Sequence, residues 1–155
     1  MWPPTQLTYS TADRIARITL DRPDRGNGLT STLIAELAAA VERADLDPDV
    51  HVIVLSGNGK GFCGGYDLVE SAEGQGSLGP SDAVEGSPLD PAVMAANHDP
   101  SRTWDPMVDY AMMSRNVKAF MTLFHAATPV ICSVHGFCVA GGTDLALCSD
   151  LLVIA

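Results

Sequence analysis

The chain has 155 residues, 46% of them hydrophobic, which suits one folded domain with its own core and excludes a disordered polypeptide. Its 19 acidic residues against 9 basic ones give a net charge of −10, which speaks against nucleic acid as a partner, since phosphate neutralisation needs clustered Lys and Arg. No apolar run reaches the length of a membrane span, the start MWPPTQLTYS lacks the layout of a signal peptide, and Cys63, Cys132, Cys138 and Cys148 show neither CxxC pairs nor zinc spacing, so the expectation is a cytoplasmic protein with free thiols and no metal site.

In chain order, QLTYS and RIARITL alternate as two short strands, with TADR as their hairpin. DRPDRGN follows as a Pro- and Gly-punctuated loop. Leu33, Leu37 and Val41 fall at helical spacing, Thr30 or Ser31 stands where a cap is needed, and Asp47, Pro48 and Asp49 stop the helix. VHVIVLS reads as a strand covered on both faces. After it comes a loop dense in glycine, GNGKGFCGGYDL. Residues 71–104 have a different texture, rich in Gly, Pro, Ser and Asp, and read as a long loop insertion with one short helical piece near Met94. Met107, Tyr110, Ala111, Val117, Phe120 and Phe124 then mark a second helix. TPVICSV is a buried strand, HGFCVAGG a second glycine loop, TDLALCS a short helix and DLLVIA a last strand. The tandem strand–loop–helix order predicts an α/β fold, and there is no internal repeat.

A glycine loop after a buried strand suggests phosphate binding, but two fingerprints fail. Phe62 stands where GxGxxG needs its last glycine, and Lys60 precedes Gly61 where a phosphate loop needs Ser or Thr. Gly141 and Gly142 lie at the mouth of a helix, whose unpaired N–H groups can hold a carboxylate, a phosphate or an oxyanion forming on a carbonyl. An acid such as Asp144 in that first turn also offsets the helix dipole without any further role. Arg22, Arg25 and Lys60, each in a loop after an apolar run, are the bases available to an anionic ligand. His51, His98, His125 and His135 have no partners in motif spacing, and His135 reads as structural, as does Asp150.

Three stretches, ITLDRPDRGNGL, VIVLSGNGKGFCGGYDL and TPVICSVHGFCVAGGTDLALCSDLLVIA, occur in order and cover most of the chain outside residues 71–104. Together they resemble the successive signatures of the enoyl-CoA hydratase/isomerase (crotonase) superfamily. The resemblance implies a crotonase-like spiral of ββα units, truncated at its C-terminal side, with residues 1–155 a single incomplete core. It implies an acyl-CoA thioester as substrate, coenzyme A as part of that substrate and no separate cofactor. It also implies the N–H groups of Tyr66 and Gly141 as donors to an enolate oxygen, and Asp144 at the position of the family's first catalytic glutamate, one methylene shorter. The segment carrying the second glutamate, and the helices that cover the acyl pocket and build trimers or hexamers, would follow Ala155. Arg25 and Lys60 match the side that anchors CoA, while Gly64, Gly65, Asp67 and Gly142 complete the substrate-binding set. The implied activity is addition of water to a 2-enoyl-CoA in lipid or fatty-acid metabolism. The alternatives are an isomerase, hydrolase or decarboxylase reaction, a non-catalytic acyl-CoA-binding module, or an inactive remnant.

Overall fold

The computed structural model describes residues 2–68, 101, 103 and 106–155. The expected insertion at 71–104 therefore lies almost wholly outside the described residues. Strands β1 (Leu7–Ala12) and β2 (Ile15–Leu20) form an antiparallel hairpin. Its two-residue turn puts Asp13 and Arg14 at φ 53° and 65°, the left-handed pair that matches strand twist in a type I′ turn. A 3₁₀ turn (Pro23–Arg25) leads to helix α1 (Ser31–Asp45). Thr30 caps α1, its hydroxyl accepting from the Leu33 N–H at 2.9 Å. Strand β3 (Val52–Gly57), helix α2 (Pro106–His125), strand β4 (Val130–Val134), helix α3 (Gly141–Leu147) and strand β5 (Leu151–Ile154) complete the order.

The sheet runs β1-β2-β3-β4-β5, antiparallel at the first pair and parallel from β2 onward. Each parallel step needs a crossover, and crossovers of one hand laid down in one direction put their helices on one face. There α1 packs on α2, and α2 on α3. The period of the strands decides what is covered: Ala16, Ile18 and Leu20 of β2, Ile53 and Leu55 of β3, and Val130, Cys132 and Val134 of β4 all point into the core. From α1 the matching face is Leu33, Ile34, Leu37, Ala40, Val41 and Ala44. Each large aliphatic side chain so buried contributes about 1.5–3 kcal/mol.

One element differs from the sequence reading. In α2 the stripe seen as one apolar face is split: Phe120 is buried together with Leu123, whereas Met107, Tyr110, Val117 and Phe124 are exposed. In β5 all four side chains are exposed. Cys63 and Cys132 are buried thiols, pushed up to about 11 and about 12 by burial, and so uncharged at neutral pH; Cys138 and Cys148 are half-buried.

Candidate active site

The loops leaving β2, β3 and β4 all emerge at the carboxyl edge of the parallel strands, where open α/β sheets bind ligands. Here they are joined to one another. The Leu29 N–H donates to Gly65 O at 2.8 Å and the Asp67 N–H to Leu29 O at 3.0 Å, a parallel bridge between Leu29 and Tyr66. The Val139 N–H donates to Cys63 O at 3.0 Å and the Cys63 N–H to Phe137 O at 3.3 Å, a second parallel bridge between Cys63 and Cys138. The glycine loop after β3 is thus the middle member of three.

Two side chains hold that arrangement, and neither role was apparent from sequence. Asn27, wholly buried, accepts the Arg22 N–H at 2.9 Å and turns its amide nitrogen to the carbonyls of Asn58, Gly61 and Phe62 at 2.8, 3.2 and 2.9 Å. Asp67, 7% exposed, takes Arg22 on one carboxylate oxygen and Arg25 on the other, both at 2.9 Å. Arg22 also donates to Gly28 O. Arg25 and Asp67, both assigned to substrate binding from sequence, are therefore engaged with each other. They flank an open cavity of about 390 Å³, lined by Asp24, Arg25, Gly64, Gly65, Tyr66 and Asp67 among others. Lys60 is exposed, and its carbonyl lies against Gly136. His135 donates a ring N–H to Gly59 O at 2.9 Å, and Asp150 accepts the Val130 N–H at 2.7 Å.

Between the second and third loops the backbones nearly touch. At Gly65, φ is +93°, and a Cβ there would stand 3.1 Å from the Ala140 Cβ and 3.6 Å from the Gly141 nitrogen. A Cβ at Gly142 would fall 2.5 Å from Cys63 O. The two loops thus approach each other at Gly65 and Gly141, and the peptide N–H groups of Tyr66 and Gly141, one from each loop, donate to no acceptor among the described residues. Ala140, which precedes Gly141, has φ 48° and ψ −122°, strained for a residue with a Cβ. Asp144 lies one residue beyond Thr143 in the first turn of α3 and is exposed; burial raises the Tyr66 hydroxyl's pKa, and the Asp144 charge adds to this. The structure thus brings Gly64, Gly65, Tyr66, Gly141, Gly142 and Asp144 to one place, with Arg25 and Asp67 on its flank and Lys60 at the surface. Such a pair of donors beside a cavity can stabilise negative charge forming on a carbonyl oxygen.

A mixed α/β sheet with glycine loops joined at its carboxyl edge is the architecture that the chain presents. The family profile described as enoyl-CoA hydratase/isomerase matches residues 10–97. The chain belongs to the enoyl-CoA hydratase/isomerase family, the crotonase superfamily. It is 35% identical over 147 residues to a protein named probable enoyl-CoA hydratase from Mycobacterium tuberculosis, covering 95% of this chain and 46% of that one. With the peroxisomal Delta(3,5)-Delta(2,4)-dienoyl-CoA isomerase of Arabidopsis thaliana it shares 29% identity over 151 residues, 94% of this chain and 46% of the relative. A crystal structure of an enoyl-CoA hydratase from Mycobacterium smegmatis superposes with a TM-score of 0.78 at 48% identity, over 97% of this chain and 47% of that one. The chain spans about half the length of the curated relatives it matches. No helix among the described residues is long and apolar enough to cross a membrane.

Proposed function

We propose that this chain binds an acyl-CoA thioester and polarises its carbonyl between the Tyr66 and Gly141 N–H groups, as part of an enoyl-CoA hydratase-like lyase of fatty-acid metabolism. The observation that carries this reading is the close approach of the two glycine loops at Gly65 and Gly141, together with Tyr66 and Gly141 N–H groups that have no acceptor among the described residues. Negative charge builds on the thioester oxygen when water adds to C3 of a 2-enoyl-CoA, and each donor aimed at it is worth roughly 10²–10³ in rate. Asp144 takes a proton from the water as its oxygen bonds to C3, and returns that proton to C2 of the enolate. The nucleotide end of the substrate lies toward the half-exposed Arg25, with Lys60 as a second contact. Coenzyme A enters as part of the substrate and no other cofactor takes part; association as a homotrimer or hexamer and a cytoplasmic setting belong to the same reading.

A second reading, double-bond isomerisation, is supported by the hydratase/isomerase description of the family profile and by the dienoyl-CoA isomerase among the relatives, since a shift of one proton along the acyl chain needs a single base such as Asp144. Both readings share the thioester step, and that step is tested directly. Butyryl-CoA and its thioether analogue, in which CH₂ replaces C=O, are compared by calorimetry on the same protein. Two hydrogen bonds at about 0.5–1.5 kcal/mol each predict that the thioester binds roughly ten-fold tighter or more. Equal affinities would overturn the assignment of the donors.

A further inference from the structure

Cys63 and Cys138 stand opposite each other in the parallel bridge that joins the two glycine loops, and both are free thiols. Bridged residues of neighbouring strands point to one face with their Cα atoms about 4.8 Å apart, inside the roughly 4.4–6.8 Å over which disulfides are found. Backbone bonds hold this register on both sides: the Cys63 N–H donates to Phe137 O and the Val139 N–H to Cys63 O. Neither sulfur is held by a strong partner. Cys63 Sγ donates to Asn27 O at 3.1 Å, and Cys138 Sγ lies 4.0 Å from Thr143 Oγ1. Gly142 leaves the Cys63 Cβ uncrowded, since a Cβ added there would stand 2.8 Å from it. The two thiols differ in access, Cys63 being buried and Cys138 half-buried. Burial pushes the Cys63 thiol up to about 11, the Gly65 N–H partly offsets this and the neighbouring Cys138 adds to it, so Cys63 keeps its proton at neutral pH. An oxidant therefore meets Cys138 first.

We propose that Cys63 and Cys138 are a redox latch, closed by hydrogen peroxide into a disulfide that ties the two glycine loops together. The Cys138 thiolate attacks one peroxide oxygen and the O–O bond breaks. Hydroxide leaves and takes up the proton lost by the thiol, giving one water and a sulfenic acid on Cys138. The Cys63 sulfur then attacks the sulfenic sulfur, the S–O bond breaks, and the departing hydroxide takes the Cys63 proton as a second water. Two thiols thus lose two electrons and two protons, and one peroxide becomes two waters. Cys132 points into the core from β4 and stays a thiol. Closed, the latch replaces two backbone hydrogen bonds by a covalent link as the limit on parting the loops. This holds whichever reaction the site performs.

The test treats the reduced, folded chain with hydrogen peroxide, blocks the remaining thiols and maps the sulfurs by peptide mass spectrometry. One link within a single chain, between Cys63 and Cys138, should appear with the loss of two hydrogens and be reversed by dithiothreitol. Cys132→Ser should keep that link and Cys138→Ser should abolish it. Hydrogen exchange at the Cys63 and Val139 amides should be about ten-fold slower or more in the oxidised chain, because the link suppresses local opening of the bridge. Sulfinic acid on Cys138 without a link, a Cys132–Cys138 pair, or a disulfide only between two chains overturns the latch. So does a Cys63–Cys138 link that leaves the exchange of both amides unchanged.

Discussion

Asn27 shows how one buried amide can set the shape of a site that it does not touch chemically. Its Nδ2 faces the carbonyls of Asn58, Gly61 and Phe62, so the first half of the glycine loop is hung from one side chain. Replacing it by Asp keeps the size and removes every donor. The new carboxylate would then face carbonyl oxygens in a buried place, and its folded pKa would rise above the unfolded value of about 3.9. Raised folded pKa means that the folded state binds the proton more tightly, so stability is lost as pH rises through that folded value and recovered as it falls. Urea unfolding of Asn27→Asp should show a deficit of about 2 kcal/mol or more at pH 7 that shrinks toward pH 4. A deficit independent of pH would mean that the loop re-pairs its carbonyls elsewhere.

Among the connecting elements, the junction between β4 and α3 is where local preference gives way. An Ala at φ 48° costs about 1–3 kcal/mol, and it supplies no side-chain cap for α3. Glycine takes that conformation freely, so Ala140→Gly should raise the unfolding midpoint, by about 1 kcal/mol in urea. A lower midpoint would show that the Ala140 methyl, which faces Gly65, contributes more by packing than its backbone costs. The strands, the hairpin turn and α1 were legible in the sequence because period and turn chemistry are local. So were the two glycine loops as a pair. The Arg22–Asp67–Arg25 cluster and the Asn27 bonds were not, since each joins segments with no periodic relation. The face of α2 could not be read either: its apolar stripe wraps too far round, and only the position of α1 decides that Phe120 and Leu123 turn inward.

Over the molecule as a whole, burial is uneven. Parallel strands are ordinarily covered on both faces, yet Leu151, Leu152, Val153 and Ile154 of β5 are 61, 41, 57 and 72% exposed, and only β4 pairs with that strand among the described residues. Exposed apolar strands with a free edge recruit further chains. The 155-residue chain should therefore show concentration-dependent association in sedimentation velocity, and Val153→Lys should reduce it without lowering the unfolding midpoint. A monomer at every concentration would mean that the net charge of −10 outweighs the apolar edge.

The two bridges between loops also carry a consequence in time. Leu29 with Tyr66, and Cys63 with Cys138, are pairings between segments far apart in the chain, and neither can form until the strands beneath are in register. Contacts of this kind are made late, because loop-closure entropy is lost before they return anything. The loops carrying the Tyr66 and Gly141 donors are joined only when both bridges exist, so on refolding the capacity to hold a thioester should return no sooner than the slowest step that completes the sheet. In mild denaturant the order reverses: the bridges are short, and their opening would abolish ligand capture while the strands stay paired.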